Sequence, residues 1–291
     1  MTEEEIGMYE ALNALPGDWE KQEDLLIKIR NIESSKEKLD IWSFFYEVED
    51  QLDNLESLVS YYREAFQKVR ESAPLKKVIS YILTVGNILN GGTPKGQADG
   101  FNLDILTKLS TVKDNSNKTL LQIICMKIKA EDEDFKPLKK NFECIVESLK
   151  VPSMEIKGTI DKYLKQAELN KGLLDKMTLN DKFCDKAGET LNGIISRLIK
   201  LDEDFKSNAE FAQKTVEFFG YPKSDAKYKK PDEFLQLIND FLGDLDKSIP
   251  VTEAKKAFKG AAEMGKKITD NKNPGFNSVL SGLKSKLGNN N

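Results

Sequence analysis

From Ser153 to Phe205 the chain carries no proline, and its apolar residues recur in steps that sum to seven. One block holds Ile156, Ile160, Tyr163, Ala167, Leu174 and Met177, and a second holds Ala187, Leu191, Ile194, Leu198, Leu201 and Phe205. A 3.5-residue period turns these side chains to one seam of a helix and cannot be met by the two-residue alternation of a strand. The stretch therefore reads as a coiled coil, with Asp181 and Gly188 between the blocks marking a stutter near residue 180, and it predicts an elongated molecule. The remaining sequence keeps three- and four-residue apolar spacing, and a charged fraction of 32% against 39% hydrophobic suits long solvated helices. The fold class is all-α.

Thr2-x-x-Glu5 has the form of a capping box opening a short helix that ends near Leu15-Pro16-Gly17, and Asp18 caps a second over residues 19–32. A longer helix follows Ser34-Ser35, its apolar stripe assigned to Leu39, Trp42, Phe45, Val48, Leu52, Leu55, Leu58, Val59, Tyr62, Phe66 and Val69. The aromatic run Trp42 to Tyr46 reads as core packing or as a partner surface. Pro74 starts the next helix, which runs into five glycines and a proline between Gly86 and Gly100, in a chain with 18 glycines in all. Gly86 falls inside that helix, where glycine costs about 1 kcal/mol relative to alanine, so a neighbour is expected to need the missing side chain. Asn87 and Asn90 share a face. Residues 101–109 and 118–130 are expected as helices beside the loop. Glu131-Asp132-Glu133-Asp134 is expected at a helix start, followed by a helix to about Leu149 and a break at Val151-Pro152-Ser153. Phe211 to Phe219 forms a further helical cluster ended by Gly220-Tyr221-Pro222, and Pro231 or Asp232 starts a helix bearing Leu237, Ile238, Phe241, Leu242 and Leu245.

Several function classes are excluded. The sequence has no histidine, which removes Ser-His-Asp, Cys-His and His-metal chemistry. Cys125, Cys144 and Cys184 lack CxxC spacing and read as buried free thiols of a reducing compartment. No apolar run of membrane-spanning length occurs, so a soluble cytoplasmic protein is expected. The glycine loop lacks the Gly-Lys-Ser/Thr ending of a phosphate loop and the GxGxxG pattern, and the acidic run lacks calcium-loop spacing. No catalytic set, metal site or cofactor is expected. Residues 251–291 hold eight lysines against Glu253, Glu263 and Asp270, a local +5 that leaves −9 on the rest of a chain of net charge −4. With no aromatic residues interleaved among the lysines, this pattern suits an acidic protein partner and not nucleic acid.

The loop carries a resemblance. Gly86-Asn87-Ile88-Leu89-Asn90-Gly91-Gly92, Gly96-Gln97-Ala98-Asp99-Gly100-Phe101, Leu109-Ser110-Thr111-Val112-Lys113 and Asn117-Lys118-Thr119-Leu120-Leu121 are similar to the patterns G-N-x-x-N-G-G, G-x-A-x-G-F, K-L-x-D-T-K and K-x-T-L-L of the formin homology 2 domain. The later phenylalanine-rich segment resembles that family as well, so residues 1–265 read as the core domain and 266–291 as a basic linker with a tail helix. The resemblance implies an actin-binding module that nucleates filaments and stays on the growing barbed end. It implies a knob, a coiled coil and a post, and a head-to-tail homodimer in which the lasso of one subunit wraps the post of the other. Gly86, Asn87, Asn90, Gly91, Gly92, Gly100 and Phe101 become the lasso-receiving residues of the post. Lys113 falls on the family's actin-contacting post lysine, although Thr111-Val112 replaces the Asp-Thr before it, and a solvated loop lysine is the alternative.

By this resemblance the family's lasso, linker and early knob precede Met1, so the chain alone is expected to be mainly monomeric. Phe276, Val279, Leu280 and Leu283, followed by Lys284 and Lys286, resemble the diaphanous autoregulatory segment, an amphipathic helix for a groove; an ordinary terminal helix reads equally well. A diaphanous-related formin implies regulation by Rho-type GTPases through N-terminal regions. The alternative from another class is a coiled-coil scaffold of cytoskeletal signalling without actin-assembly activity.

Overall fold

The computed structural model describes residues 25, 28, 29, 32–94, 96–177 and 182–250. Among these residues there is no strand, only an isolated bridge between Lys113 and Thr119. The elements expected over residues 1–24 and 251–291, including the tail residues Phe276, Val279, Leu280 and Leu283, lie outside the described residues.

Helix α1 spans Ser35–Glu71 and α2 spans Ala73–Leu89, begun by Ser72, whose side chain accepts from the Leu75 amide, and by Pro74 in the first turn. A 3-10 helix over Leu103–Lys108 leads to α3, Leu120–Glu131. Residues 101–109 were expected as a longer helix, but Asn102 caps at Asp104, leaving Phe101 outside it. At α3 the Thr119 and Gln122 side chains each bond the other's backbone amide, a reciprocal cap that fixes where the helix starts. The acidic run lies at the end of this helix and not at a start: Glu131 is its last residue and Asp132 its C-cap. The charge unfavourable to the dipole there is countered by Lys77 at 2.7 Å from Asp132 and Lys127 at 2.8 Å from Glu131. Glu131 also accepts from the Tyr81 hydroxyl.

A second 3-10 helix, Lys139–Phe142, runs into α4, Glu143–Leu149. Helix α5 covers Ser153–Leu174 and α6 covers Lys182–Phe218, followed by the single-turn α7, Ala226–Lys229, and α8, Pro231–Ser248. The expected stutter is a break: α5 ends at Leu174 in a turn, and α6 is a separate helix. Phe211 to Phe218, expected as a separate cluster, continues α6. That helix ends at Gly220, φ 89°, with Tyr221 N–H donating to Val216 O and Gly220 N–H to Glu217 O, the paired bonds of a left-handed helix stop.

The described residues divide into two compact units, those up to Leu52 with those of 162–198, and those of 53–161 with those from Ile199 onward. In the first, Ile41, Phe44, Val48 and Leu52 of α1 are buried with Tyr163 and Ala167 of α5 and Ala187, Leu191, Ile194 and Leu198 of α6. The α1 stripe is displaced at its start from the one read in sequence: Trp42 and Leu39 are 53% and 47% exposed, while Ile41 and Phe44 take the buried face. Glu47 receives Lys162 at 3.0 Å and the Tyr163 hydroxyl at 3.3 Å.

The second unit is built on α8, which buries Phe234, Leu235, Leu237, Ile238, Phe241, Leu242 and Leu245. Each fully buried apolar side chain contributes roughly 1.5–3 kcal/mol over exposure, which makes this helix the main apolar anchor of the unit. Phe234 stacks on Phe66 of α1 with centroids 6.3 Å apart, and Tyr62 stacks on Phe205 of α6 at 5.9 Å. Asp232, in the first turn of α8, accepts from the backbone and hydroxyl of Ser153, and Asp246 in its last turn accepts from the amides of Leu138 and Lys139. The two carboxylates thus cap other helices while α8 supplies the core.

Candidate functional site: a groove at the glycine-rich corner

The glycine-rich loop borders a groove of about 940 Å³ in the second unit. One wall is α2, whose Ile82, Val85, Gly86 and Leu89 recur at three- and four-residue steps, with Asn90 at its end. The facing wall is Phe101, Asn102, Asp104, Ile105 and Lys108 along the first 3-10 helix. Leu109, Thr111 and Val112 and the start of α3, Leu120 and Ile124, complete it. The lining is apolar with polar groups at the rim, the composition that accepts a side chain or a short segment of another molecule.

The glycines serve different purposes. Added at Gly86, a Cβ would meet nothing within 4 Å, so no neighbour among the described residues requires its absence; the position is an opening in the groove wall. Gly96 is the close approach, because a Cβ there would lie 2.7 Å from the Asn90 carbonyl oxygen. Gly92 adopts φ 78°, in the left-handed region that glycine favours. Gly91, Gly92 and Gly100 shape the loop, and of the seven residues expected to receive a partner segment only Gly86, Asn90 and Phe101 line the groove.

The two asparagines part company. Asn87 accepts from the Ala98 amide at 2.8 Å and donates to the Ala98 carbonyl at 2.9 Å, so both ends of its amide hold the loop onto α2. Asn90 lines the groove, and its side-chain amide bonds no other group among the described residues. It is the groove's available donor and acceptor.

Asp104 was not anticipated as a site residue. One of its oxygens accepts from the Tyr221 hydroxyl at 3.0 Å and pairs with Lys227 at 2.9 Å, tying the 3-10 wall to the segment between α6 and α8. Partial burial alone would raise the Asp104 carboxyl, but the hydrogen bonds from Lys227 and Tyr221 prevail and hold it below the usual carboxylate range. Burial, then the bond to Asp104, pushes the Tyr221 phenol up. No local sequence signal joins residues 104, 221 and 227; on the α2 wall the sequence singles out Gly86 and Asn90 but not Ile82 or Val85.

Lys113 is exposed on a tight turn beside the groove residue Val112. Asp114 accepts from the amides of Ser116 and Lys118 at 2.9 and 2.8 Å, Asn117 takes φ 62°, and Leu120 N–H donates to Val112 O at 2.8 Å. These bonds fix the backbone that presents the lysine. Among the described residues no helix is long and apolar enough to cross a membrane, and no group of carboxylates and thiols could hold a metal ion.

A family model for the Formin Homology 2 Domain matches residues 1–246. Formin-G of Dictyostelium discoideum is 31% identical over 230 residues, 76% of this chain and 21% of that protein. Formin-like protein 19 of Arabidopsis thaliana is 32% identical over 199 residues, 68% of this chain and 40% of its own length. Formin-A of Dictyostelium discoideum is 26% identical over 248 residues, covering 79% of this chain and 19% of that protein. The chain spans less than half the length of these relatives.

Proposed function

This chain belongs to the formin homology 2 family, and from that premise we propose that it is an actin-assembly module that nucleates filaments and stays on the growing barbed end. The observation that carries the reading is the match over residues 1–246 together with the apolar groove at Gly86-Asn87-Ile88-Leu89-Asn90-Gly91-Gly92. In this reading the groove is the post surface that receives the lasso of a partner subunit that carries one. Ile82, Val85 and Phe101 take its apolar side chains, and the Asn90 amide bonds its backbone. Asn87, Gly91, Gly92, Gly96 and Gly100 act indirectly, by holding the loop that shapes the rim. Lys113, on its fixed turn, contacts actin as a point charge. The function is one of positioning protein subunits, at the actin cytoskeleton.

The finer reading is a diaphanous-related formin controlled by a Rho-type GTPase, supported by the resemblance at Phe276, Val279, Leu280 and Leu283. Pyrene-actin assembly with capped and free barbed ends tests the main proposal. The wild-type chain should change barbed-end growth, and Lys113→Ala should weaken that effect several-fold while leaving the melting temperature unchanged. A wild-type chain without effect on barbed-end growth overturns it.

A further inference from the structure

The chain holds only four arginines among its 44 basic residues, and two of them, Arg63 and Arg70, lie seven apart on α1. Phe211 and Phe218 lie seven apart on α6. The Arg63 guanidinium sits 3.6 Å from the Phe211 ring centroid, and Arg70 sits 5.7 Å from Phe211 and 5.0 Å from Phe218. Seven helical residues rise about 10 Å, so the two guanidiniums form a short ladder held on aromatic faces.

Neither arginine has a hydrogen bond or ion pair among the described residues, although acidic side chains are close in sequence. Those neighbours are occupied: Glu64 pairs with Lys68 at 2.8 Å, Glu71 accepts from Gln67 at 3.3 Å, and Glu210 faces Lys214 at 3.6 Å. Stacking uses the face of a guanidinium and leaves its edge, five N–H donors in a rigid fork, directed away from the ring. Both arginines are half-buried, so their orientation is set before anything binds. Phe218 beside Arg70 is 55% exposed and adds an apolar contact.

We propose that the Arg63–Arg70 ladder is a docking site for an acidic protein segment that carries carboxylates about one heptad apart and an apolar residue to cover Phe218. Bidentate guanidinium–carboxylate bonds are among the strongest side-chain hydrogen bonds, and two pre-oriented forks without hydrogen-bond or ion-pair partners among the described residues are complementary to that chemistry. A helical acidic segment satisfies both forks at once, which a single small anion does not. The site rests on neither the groove nor Lys113, so it stands or falls independently of the actin reading.

Fluorescence anisotropy on the full chain tests it, with a labelled helical peptide bearing glutamates at i, i+3 and i+7 and one leucine. The peptide should bind wild type, weaken at least about tenfold in Arg63→Gln/Arg70→Gln, and weaken less in Arg63→Lys/Arg70→Lys, which keeps the charge and loses the fork. The same peptide with glutamine in place of glutamate should not bind. Should the double glutamine variant melt below wild type, Arg70→Gln alone carries the test, since its partner Phe218 is already exposed. Equal binding by wild type and a normally melting glutamine variant overturns the proposal. So does an absence of peptide binding, or displacement of the peptide by inorganic phosphate or anionic phospholipid vesicles at equal charge concentration.

Discussion

At the scale of single residues, the glycine-rich corner separates two roles that sequence alone merges. Gly86 lies in a helix interior with open space where its Cβ would be, and Gly96 lies in a turn where a Cβ would strike the Asn90 carbonyl at 2.7 Å. Gly86→Ala should therefore stabilise the chain by about 1 kcal/mol through helix propensity, and Gly96→Ala should destabilise it by about 1–3 kcal/mol through backbone displacement. Urea unfolding midpoints measure both, and a destabilised Gly86→Ala would show that its space is needed by the fold. The same methyl group narrows the groove wall, so a chain made more stable by Gly86→Ala should bind its groove partner less well. That opposition of sign identifies a residue kept for binding, because a residue kept for folding loses both together. Asn87 illustrates the converse: its amide is spent on Ala98, and its contribution to the groove passes through the loop it holds.

At the scale of elements, α8 does more than bury apolar area. Asp232 satisfies the first amide of α5 from 79 residues away in sequence, with bonds of 2.9 and 2.8 Å to the Ser153 backbone and hydroxyl. The cap is supplied by tertiary structure, and Asp232→Ala should cost about 1 kcal/mol, the range of an ordinary N-cap. Amide hydrogen exchange should show faster exchange at the first turn of α5 with little change in α2; uniform acceleration across the chain would instead place the effect in the α8 core. Such long-range caps explain what the sequence conceals. The seam residues of α5 and α6 were legible, and so was α8, because a regular apolar period reports burial directly. The start of α1 was not. Trp42 and Phe45 keep the same three-residue step as Ile41 and Phe44, and a one-residue phase shift leaves the period unchanged while exchanging which aromatics are buried. The acidic run was assigned to a helix start on dipole grounds, and Lys77, Tyr81 and Lys127 supply the compensation that lets it stand at an end. In the groove, the motif gave the loop and its glycines, whereas the division of labour between Asn87 and Asn90 follows from loop geometry that no spacing encodes.

At the scale of the whole molecule, the three thiols report how the chain opens. Cys125 is fully buried, with its sulfur 3.9 Å from the Leu245 carbonyl of α8, and burial, then the nearby Asp246 charge, pushes its thiol up to about 12. Cys144 is 5% exposed and is also raised, chiefly by burial, while Cys184 is half-buried. A thiolate-selective reagent at neutral pH should modify Cys184 in the native chain and reach Cys125 and Cys144 only through opening of the unit built on α8. If that unit opens cooperatively, the 1 kcal/mol expected from Gly86→Ala should slow labelling of Cys125 and Cys144 by the same factor, about fivefold, when closing is faster than labelling. Cys184 belongs to the other unit and needs no such opening, so its rate should not follow. Mass-resolved labelling gives the three rates in one experiment. Slowing at Cys125 alone would mean that α3 opens with the groove, independently of α4, and the groove's stability would then be a local property that a bound partner could change without tightening the rest of the unit.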